Sequence, residues 1–270
     1  MMEHADEILV GVKLVLMAVS APVAYIGIER NKPAAIRLFQ EKTIGERSIK
    51  VVPLEQKYPQ GGEKQLIDAV TRRQVPDPPA IPANVGTVVV NVGTAFAVYQ
   101  AVMKNKPLFE RYTSVSGKHI SQPKNFLVRM GTPISQLIDA CGGLPDGDNK
   151  IIAGGPMMGK ALMTTGVPVC KGTNSITVLS GKEAVRDGAI GPCIRCAKCV
   201  GVCPMGLEPY ILATSSAAHN WDMAEEHFIT SCIECGSCQY TCPANRPMLD
   251  NIRFGKSKVM TIIRARKQKS

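Results

Sequence analysis

Cys193-Ile-Arg-Cys196-Ala-Lys-Cys199-Val-Gly-Val-Cys203-Pro204 and Cys232-Ile-Glu-Cys235-Gly-Ser-Cys238-Gln-Tyr-Thr-Cys242-Pro243 decide how this chain is read. Each half has the form C-x2-C-x2-C-x3-C-P, the spacing of bacterial two-cluster iron–sulfur sites. Three cysteines two residues apart wrap a short turn around one face of a cubane. The fourth, followed by proline, points away and ligates the other cluster. The spacing therefore assigns Cys193, Cys196, Cys199 and Cys242 to one [4Fe-4S] cluster, and Cys203, Cys232, Cys235 and Cys238 to a second. Cys235-Gly236 is expected to let backbone amides approach sulfur closely.

Zinc sites also use C-x2-C, but they do not favour a triple repeat closed by C-P. Disulfide scaffolds with ten cysteines are short and exported. The N-terminus here carries Glu3, Asp6 and Glu7, unlike a signal peptide. The apolar run from Leu14 to Ile28 is too short to span a bilayer and contains Pro22 and Gly27. A reducing cytoplasm, where thiolates are free to hold iron, is the expected compartment.

The 270 residues allow more than one core, and 45% hydrophobic with 20% charged residues fits a globular protein. The formal charge is +10, of which seven positive charges and no negative one fall between Arg253 and Ser270. That tail reads either as a solvated helix end or as an attraction to an anionic membrane surface or acidic partner. Nucleic acid is not an expected partner, because no aromatic follows Phe254 to stack on bases.

Upstream, Met2 to Ala18 has helical spacing, Val23 to Ile28 reads as a strand, and Asn31 is expected to cap a helix through Phe39. Ser48 to Val52 is another strand, and the alternation argues for an α/β layer. Gly61-Gly62 before a helix makes a turn with outward amides, able to take a phosphate or carbonyl oxygen or to serve as a plain turn. Thr87 to Val92 reads as a buried strand, followed by a helix from Ala95 to Met103 with Thr94 as its cap. Asn91 at that strand end is either a ligand contact or a satisfier of loop backbone.

From Glu110 the pattern becomes strand, strand, helix, strand, strand, with Thr132 as the expected helix cap. That order suggests a small β-grasp-like domain. Gly154-Gly-Pro-Met-Met-Gly159 is a turn within it, with Met157, Met158 and Met163 as core and turn filling. Cys141 reads as a buried thiol. The 28 residues between Cys203 and Cys232 have helical character, which fits an α-helical ferredoxin. The expected domains are 1–109, a partial flavin- and NADH-binding-like α/β domain; 110–180, the β-grasp-like domain; and 181–270, a two-[4Fe-4S] ferredoxin domain with a basic tail. The fold class is multidomain, α/β and α+β.

Tyr58-Pro-Gln-Gly-Gly-Glu-Lys-Gln-Leu66, Asn91-Val-Gly-Thr94, Gly131-Thr-Pro-Ile-Ser135, Gly154-Gly-Pro-Met-Met-Gly159 and both cysteine motifs resemble the C subunit of the Rnf-type ion-translocating ferredoxin:NAD oxidoreductase complex. The family's N-terminal half is similar to the flavin- and NADH-binding subunit of respiratory complex I. The resemblance implies FMN and NAD(H) contacts at Tyr58, Gly61, Gly62, Glu63, Asn91 and Thr94. It also implies electron transfer through two [4Fe-4S] clusters, as part of an oxidoreductase and translocase. Partners would be the membrane subunits of the complex and ferredoxin or NAD(H), on the cytoplasmic side of a bacterial or archaeal cell membrane. The family's upstream fingerprint Gly-x-Gly-Gly-Ala-Gly-Phe-Pro-Thr does not occur in these residues, so the expectation is an N-terminally shortened member that binds FMN weakly or not at all. Two other functions share these features: a cobalamin reductase of the propanediol-utilisation type, and a non-enzymatic iron–sulfur scaffold.

Overall fold

The computed structural model describes residues 1–184 and 189–269. They form two compact units, Met1–Leu108 and Phe109–Ser270. Of the basic stretch read from Arg253 to Ser270, the last residue lies outside the described part.

The first unit begins with α1 (Ala5–Ala18), β1 (Ala24–Glu29), α2 (Pro33–Lys42) and β2 (Ile49–Leu54). β1 and β2 pair in parallel, Ala24 opposite Ile49 and Ile28 opposite Pro53. A crossover through a helix is the usual way to join two parallel strands, and α2 lies in that connection. Phe39 on α2 is fully buried with Ile8, Leu9, Ile28, Ala35 and Ile49. The expected cap at Asn31 is not made. Lys32 occupies the cap position and Pro33 opens the helix, while the Asn31 side chain accepts from Lys32 Nζ at 3.3 Å.

α3 (Glu63–Thr71) and α4 (Val92–Lys104) follow. Two expectations fail between them. Thr87 to Val90 pairs with no strand among the described residues, since this sheet holds only β1 and β2. Val88 is 59% exposed. A run of valines has strand preference but needs a neighbouring edge to become a strand. The cap of α4 is Asn91 rather than Thr94: Asn91 Oδ1 accepts from the Gly93 N–H at 2.9 Å, so the helix starts at Val92, earlier than expected.

The second unit opens with β3 (Glu110–Ser116), β4 (Lys124–Arg129), α5 (Ile134–Asp139), β5 (Asn149–Ala153), β6 (Lys160–Ala161) and β7 (Ser175–Ser180). Their order in the sheet is β4-β3-β7-β5-β6. β3 runs parallel to β7, and the other neighbours are antiparallel. Alternation along β3 turns Thr113 and Val115 inward. Val115, Val128, Ile176 and Val178 pack there against Ile134, Leu137, Ile138 and Cys141, and Cys141 is a fully buried free thiol. Thr132 does not cap α5. Pro133 bridges to Pro168 in extended conformation, which delays the helix to Ile134.

The remainder is helical: α6 (Lys198–Gly201), α7 (Pro209–Ala217), α8 (Trp221–Glu226), α9 (Ser237–Tyr240) and α10 (Met248–Lys269). α10 is 22 residues long and buries Ile252 and Val259 against Leu212, Ala213, Ala224 and Ile229. Gly255 makes that contact possible. A methyl group there would overlap the Ser216 hydroxyl of α7. None of the described helices is long and apolar enough to cross a membrane.

Candidate iron–sulfur centres

Both cysteine motifs fold the same way. Arg195 and Ala197 flank Cys196 with φ of 54° and 56°, and Glu234 and Gly236 flank Cys235 with φ of 58° and 80°. Left-handed backbone at a non-glycine residue costs roughly 1–2 kcal/mol. Present at three non-glycine positions in two repeats, it is the kind of strain that accumulates at functional sites. What the strain achieves is geometric, because a chain that winds left-handed around its middle cysteine turns successive thiols inward. α6 and α9 then begin at equivalent places, just before the third cysteine of each motif.

The second motif does not close on its own cysteines alone. Cys232, Cys235 and Cys238 line one cavity together with Cys203, the last cysteine of the first motif. Its other walls are apolar, including Met205, Leu207, Leu212, Leu249 and Ile252. Cys235 and Cys238 are 7% and 8% exposed. Burial pushes the Cys238 thiol up to about 12, helped by neighbouring Cys232 and Cys235. Burial also raises Cys232, opposed by an N–H from Glu234 and by the charge of Lys256. Thiols held this high stay protonated until a metal cation displaces the proton. Backbone amides already point at sulfur: Leu207 N lies 3.4 Å from Cys203 Sγ and Glu234 N 3.4 Å from Cys232 Sγ.

Among the described residues, no three His, Cys, Asp or Glu side chains meet as a single-ion site. Four thiols instead ring a cavity, as ligands to the corners of one cubane do. The donors are all sulfur, the walls are apolar and amides are available to the sulfurs. These residues fit a [4Fe-4S] group.

The first set is arranged more openly. Cys193 and Cys196 are exposed, while Cys199 and Cys242 are half-buried and pack on the same apolar core as α7 and α10. Cys199 is raised by burial, against N–H groups of Tyr210 and Val200, and feels the charge of Cys193. The proximity of Cys196 and Cys242 to that pair is an expectation from the spacing.

Several neighbours of the second set carry no signal of their own in the sequence. Arg253 donates to Glu234 Oε2 at 3.1 Å and to the Met158 carbonyl at 2.9 Å. Lys256 pairs with Glu234 Oε1 at 3.2 Å and donates to the Cys232 carbonyl at 2.6 Å. The Met157 carbonyl comes close to Gly236. The methionines differ from expectation as well, since Met163 is fully exposed and Met158 about half exposed. Met158 lies in the turn between β5 and β6 and Met163 just after β6, where neither side chain is enclosed by the core of the sheet. His227 lies with Nδ1 3.3 Å from Glu208 Oε2.

The residues expected to meet a flavin sit at two helix starts. Gly62 caps α3, its N–H donating to the Pro59 carbonyl at 2.8 Å, and Glu63 is the first helical residue. Asn91 caps α4 and Thr94 is exposed inside its first turn. Tyr58 and Gly61 are exposed on the turn that precedes α3.

Three family models match the chain in this order: the Nuo51 FMN-binding domain over residues 1–100, the SLBB domain over 112–161 and the 4Fe-4S dicluster domain over 185–243. Fold and matches together define a modular iron–sulfur protein with a flavin-domain segment at its start. The chain is a homologue of the C subunit of Rnf-type ion-translocating oxidoreductase complexes. It is 41% identical over 260 residues to the C subunit of the Na(+)-translocating ferredoxin:NAD(+) oxidoreductase complex of Acetobacterium woodii, covering 96% of this chain and 58% of that one. The proton-translocating counterpart of Clostridium ljungdahlii is 43% identical over 259 residues, covering 96% and 56%. The C subunit of the ion-translocating oxidoreductase complex of Rhodobacter capsulatus is 38% identical over 262 residues, covering 96% and 50%. The chain thus spans between half and three-fifths of the length of these relatives.

Proposed function

We propose that this chain is the electron-transfer part of the C subunit of a membrane-associated, ion-translocating ferredoxin:NAD oxidoreductase. The observation that carries the reading is the convergence of Cys203 on Cys232, Cys235 and Cys238. A cysteine that crosses from one motif to the other places two cubanes side by side, which a relay needs and a zinc knuckle does not. The bound clusters would supply one-electron transfer. Cys193, Cys196, Cys199 and Cys242 hold one of them, and Cys203, Cys232, Cys235 and Cys238 hold the other. The protein sets their potentials through burial, the amides on sulfur and the charges of Lys256 and Glu234.

In this reading residues 1–109 are a partial flavin-domain layer, 110–180 a β-grasp-like domain and 181–270 an α-helical ferredoxin domain. Tyr58, Gly61, Gly62, Glu63, Asn91 and Thr94 contribute one side of an FMN and NAD(H) site. Partners are the other subunits of the complex, with ferredoxin or NAD(H) as electron donor or acceptor. The chain works peripherally on the cytoplasmic side of the membrane.

The test is anaerobic reconstitution with iron and sulfide. Close to eight iron and eight sulfide per chain are expected, with two reducible clusters seen by electron paramagnetic resonance. Iron near four, or stoichiometric zinc after anaerobic purification, would overturn the two-cluster reading. Clusters that no low-potential donor reduces would leave a scaffold rather than a relay.

A further inference from the structure

The two cysteine motifs are internal controls for one another, and of the six positions at which they differ one stands against a close contact. The residue after the middle cysteine is Ala197 in the first and Gly236 in the second. Both are left-handed, at φ 56° and 80°. Alanine is therefore accommodated in this conformation, and backbone freedom alone does not call for glycine in the second motif. The close approach does. A Cβ on Gly236 would lie 2.8 Å from the Met157 carbonyl oxygen, closer than Cβ atoms tolerate. Ala197, by contrast, is exposed.

Met157 belongs to the turn Gly154–Gly159, which leaves the five-stranded sheet between β5 and β6. The same turn is tied down a second time. Arg253 reaches from α10 to the Met158 carbonyl and, with its Nε, to Glu234 in the cysteine loop. The Glu234 equivalent in the first motif is Arg195, which is exposed. Turn, loop and helix thus meet at one point, beside Cys235.

We propose that the Gly154–Gly159 turn is a cap on the second cluster site, and that it makes the two clusters unequal. The inference rests on the two-cluster reading above. Beneath the cap the second cluster is shielded from water and from small reagents, while the first, with Cys193 and Cys196 exposed, is open to both. Gly236 and Arg253 are positioning residues: neither ligates iron, and both hold the cap against the loop. A shielded cluster is harder to reduce, because water stabilises the more highly charged reduced form.

The experiment uses the full chain, reconstituted anaerobically, with a ferrous chelator added and iron loss followed in time. Wild type should bind about eight iron and release them in two phases of equal size. Gly236→Ala should quicken the slow phase by roughly tenfold, the equivalent of about 1.4 kcal/mol in the barrier. It should also move the midpoint potential of one cluster upward and leave the other in place, a change that loss of packing elsewhere does not produce. Arg253→Leu keeps α10 helical and should quicken the same phase, so it decides the question if the glycine variant does not fold. All the iron lost in a single phase, or a slow phase unchanged in the variants, would overturn the cap. Iron near four would overturn the two-cluster reading and the cap with it.

Discussion

Arg253 holds Glu234 across the second cysteine loop, Nε to Oε2 at 3.1 Å, with Lys256 on the other carboxylate oxygen at 3.2 Å. Two of the seven basic residues of the C-terminal stretch are therefore structural. Arg266 is a third, paired with Glu225 at 2.8 Å on α8. The stretch is a packed helix in which three of the basic side chains are already paired, and its attraction to an anionic surface is correspondingly smaller than its formal charge.

That surface attraction can be measured. Lys258 and Arg264 are exposed and sit on the outward side of α10. Each would contribute about 1 kcal/mol toward an anionic membrane, screened within roughly 8 Å at physiological salt. Co-sedimentation with anionic vesicles should be weak, reversible and abolished by high salt. A Lys258→Glu, Arg264→Glu double variant should bind less than wild type. Equal binding of both proteins would place the attraction elsewhere.

Cys203→Ala tests the crossed ligation. Cys203 is a chain neighbour of Cys199 but a cavity neighbour of Cys232, Cys235 and Cys238. Iron should fall from about eight to about four per chain, and the surviving signal should be that of the cluster held by Cys193. Selective loss of the first cluster instead would show that each motif closes on itself.

Gly255→Ala separates packing from propensity. On an exposed helix the change would stabilise by about 1 kcal/mol. Here the added methyl meets the Ser216 hydroxyl and Ile229, and forcing extra carbon into a filled contact costs about 1–3 kcal/mol. Urea denaturation of the reconstituted chain should show net destabilisation. A stabilised variant would mean that α7 and α10 separate easily.

Glu46 in the first unit gives a pH signature. Hydrogen bonds from the Lys13 and Ser48 side chains hold its carboxyl down, from 4.5 to about 2. Because the folded value lies below the unfolded one, the contribution is present above about pH 4.5. It is lost as pH falls toward about 2. Stability measured across that window should fall less steeply in Glu46→Gln than in wild type. Parallel curves would remove Glu46 from the account.

By itself the sequence determined how the eight motif cysteines are spaced and what donor chemistry they offer, because ligand spacing is a local property and both repeats state it completely. Periodicity likewise placed α1, α2, β1, β2 and, from Glu110 onward, β3, β4, β5 and β7, since alternation and helical spacing are read within a few residues; the two-residue β6 is too short to show it. Cys141 was legible as buried from the apolar helix it ends. Contacts that depend on distant partners were not. Thr87 to Val90 looked like a strand because valine favours one, yet pairing is decided by an edge that the residues themselves do not specify. The cap of α4 went to Asn91 rather than Thr94, three residues earlier, where a side-chain oxygen could reach the Gly93 amide. Only the tertiary structure brought Met157 onto Gly236, or Arg253 onto Glu234 and Met158, residues up to 95 positions apart. A local trace of that meeting was a glycine in the second motif where the first has alanine, and its meaning lay in the carbonyl that occupies the space.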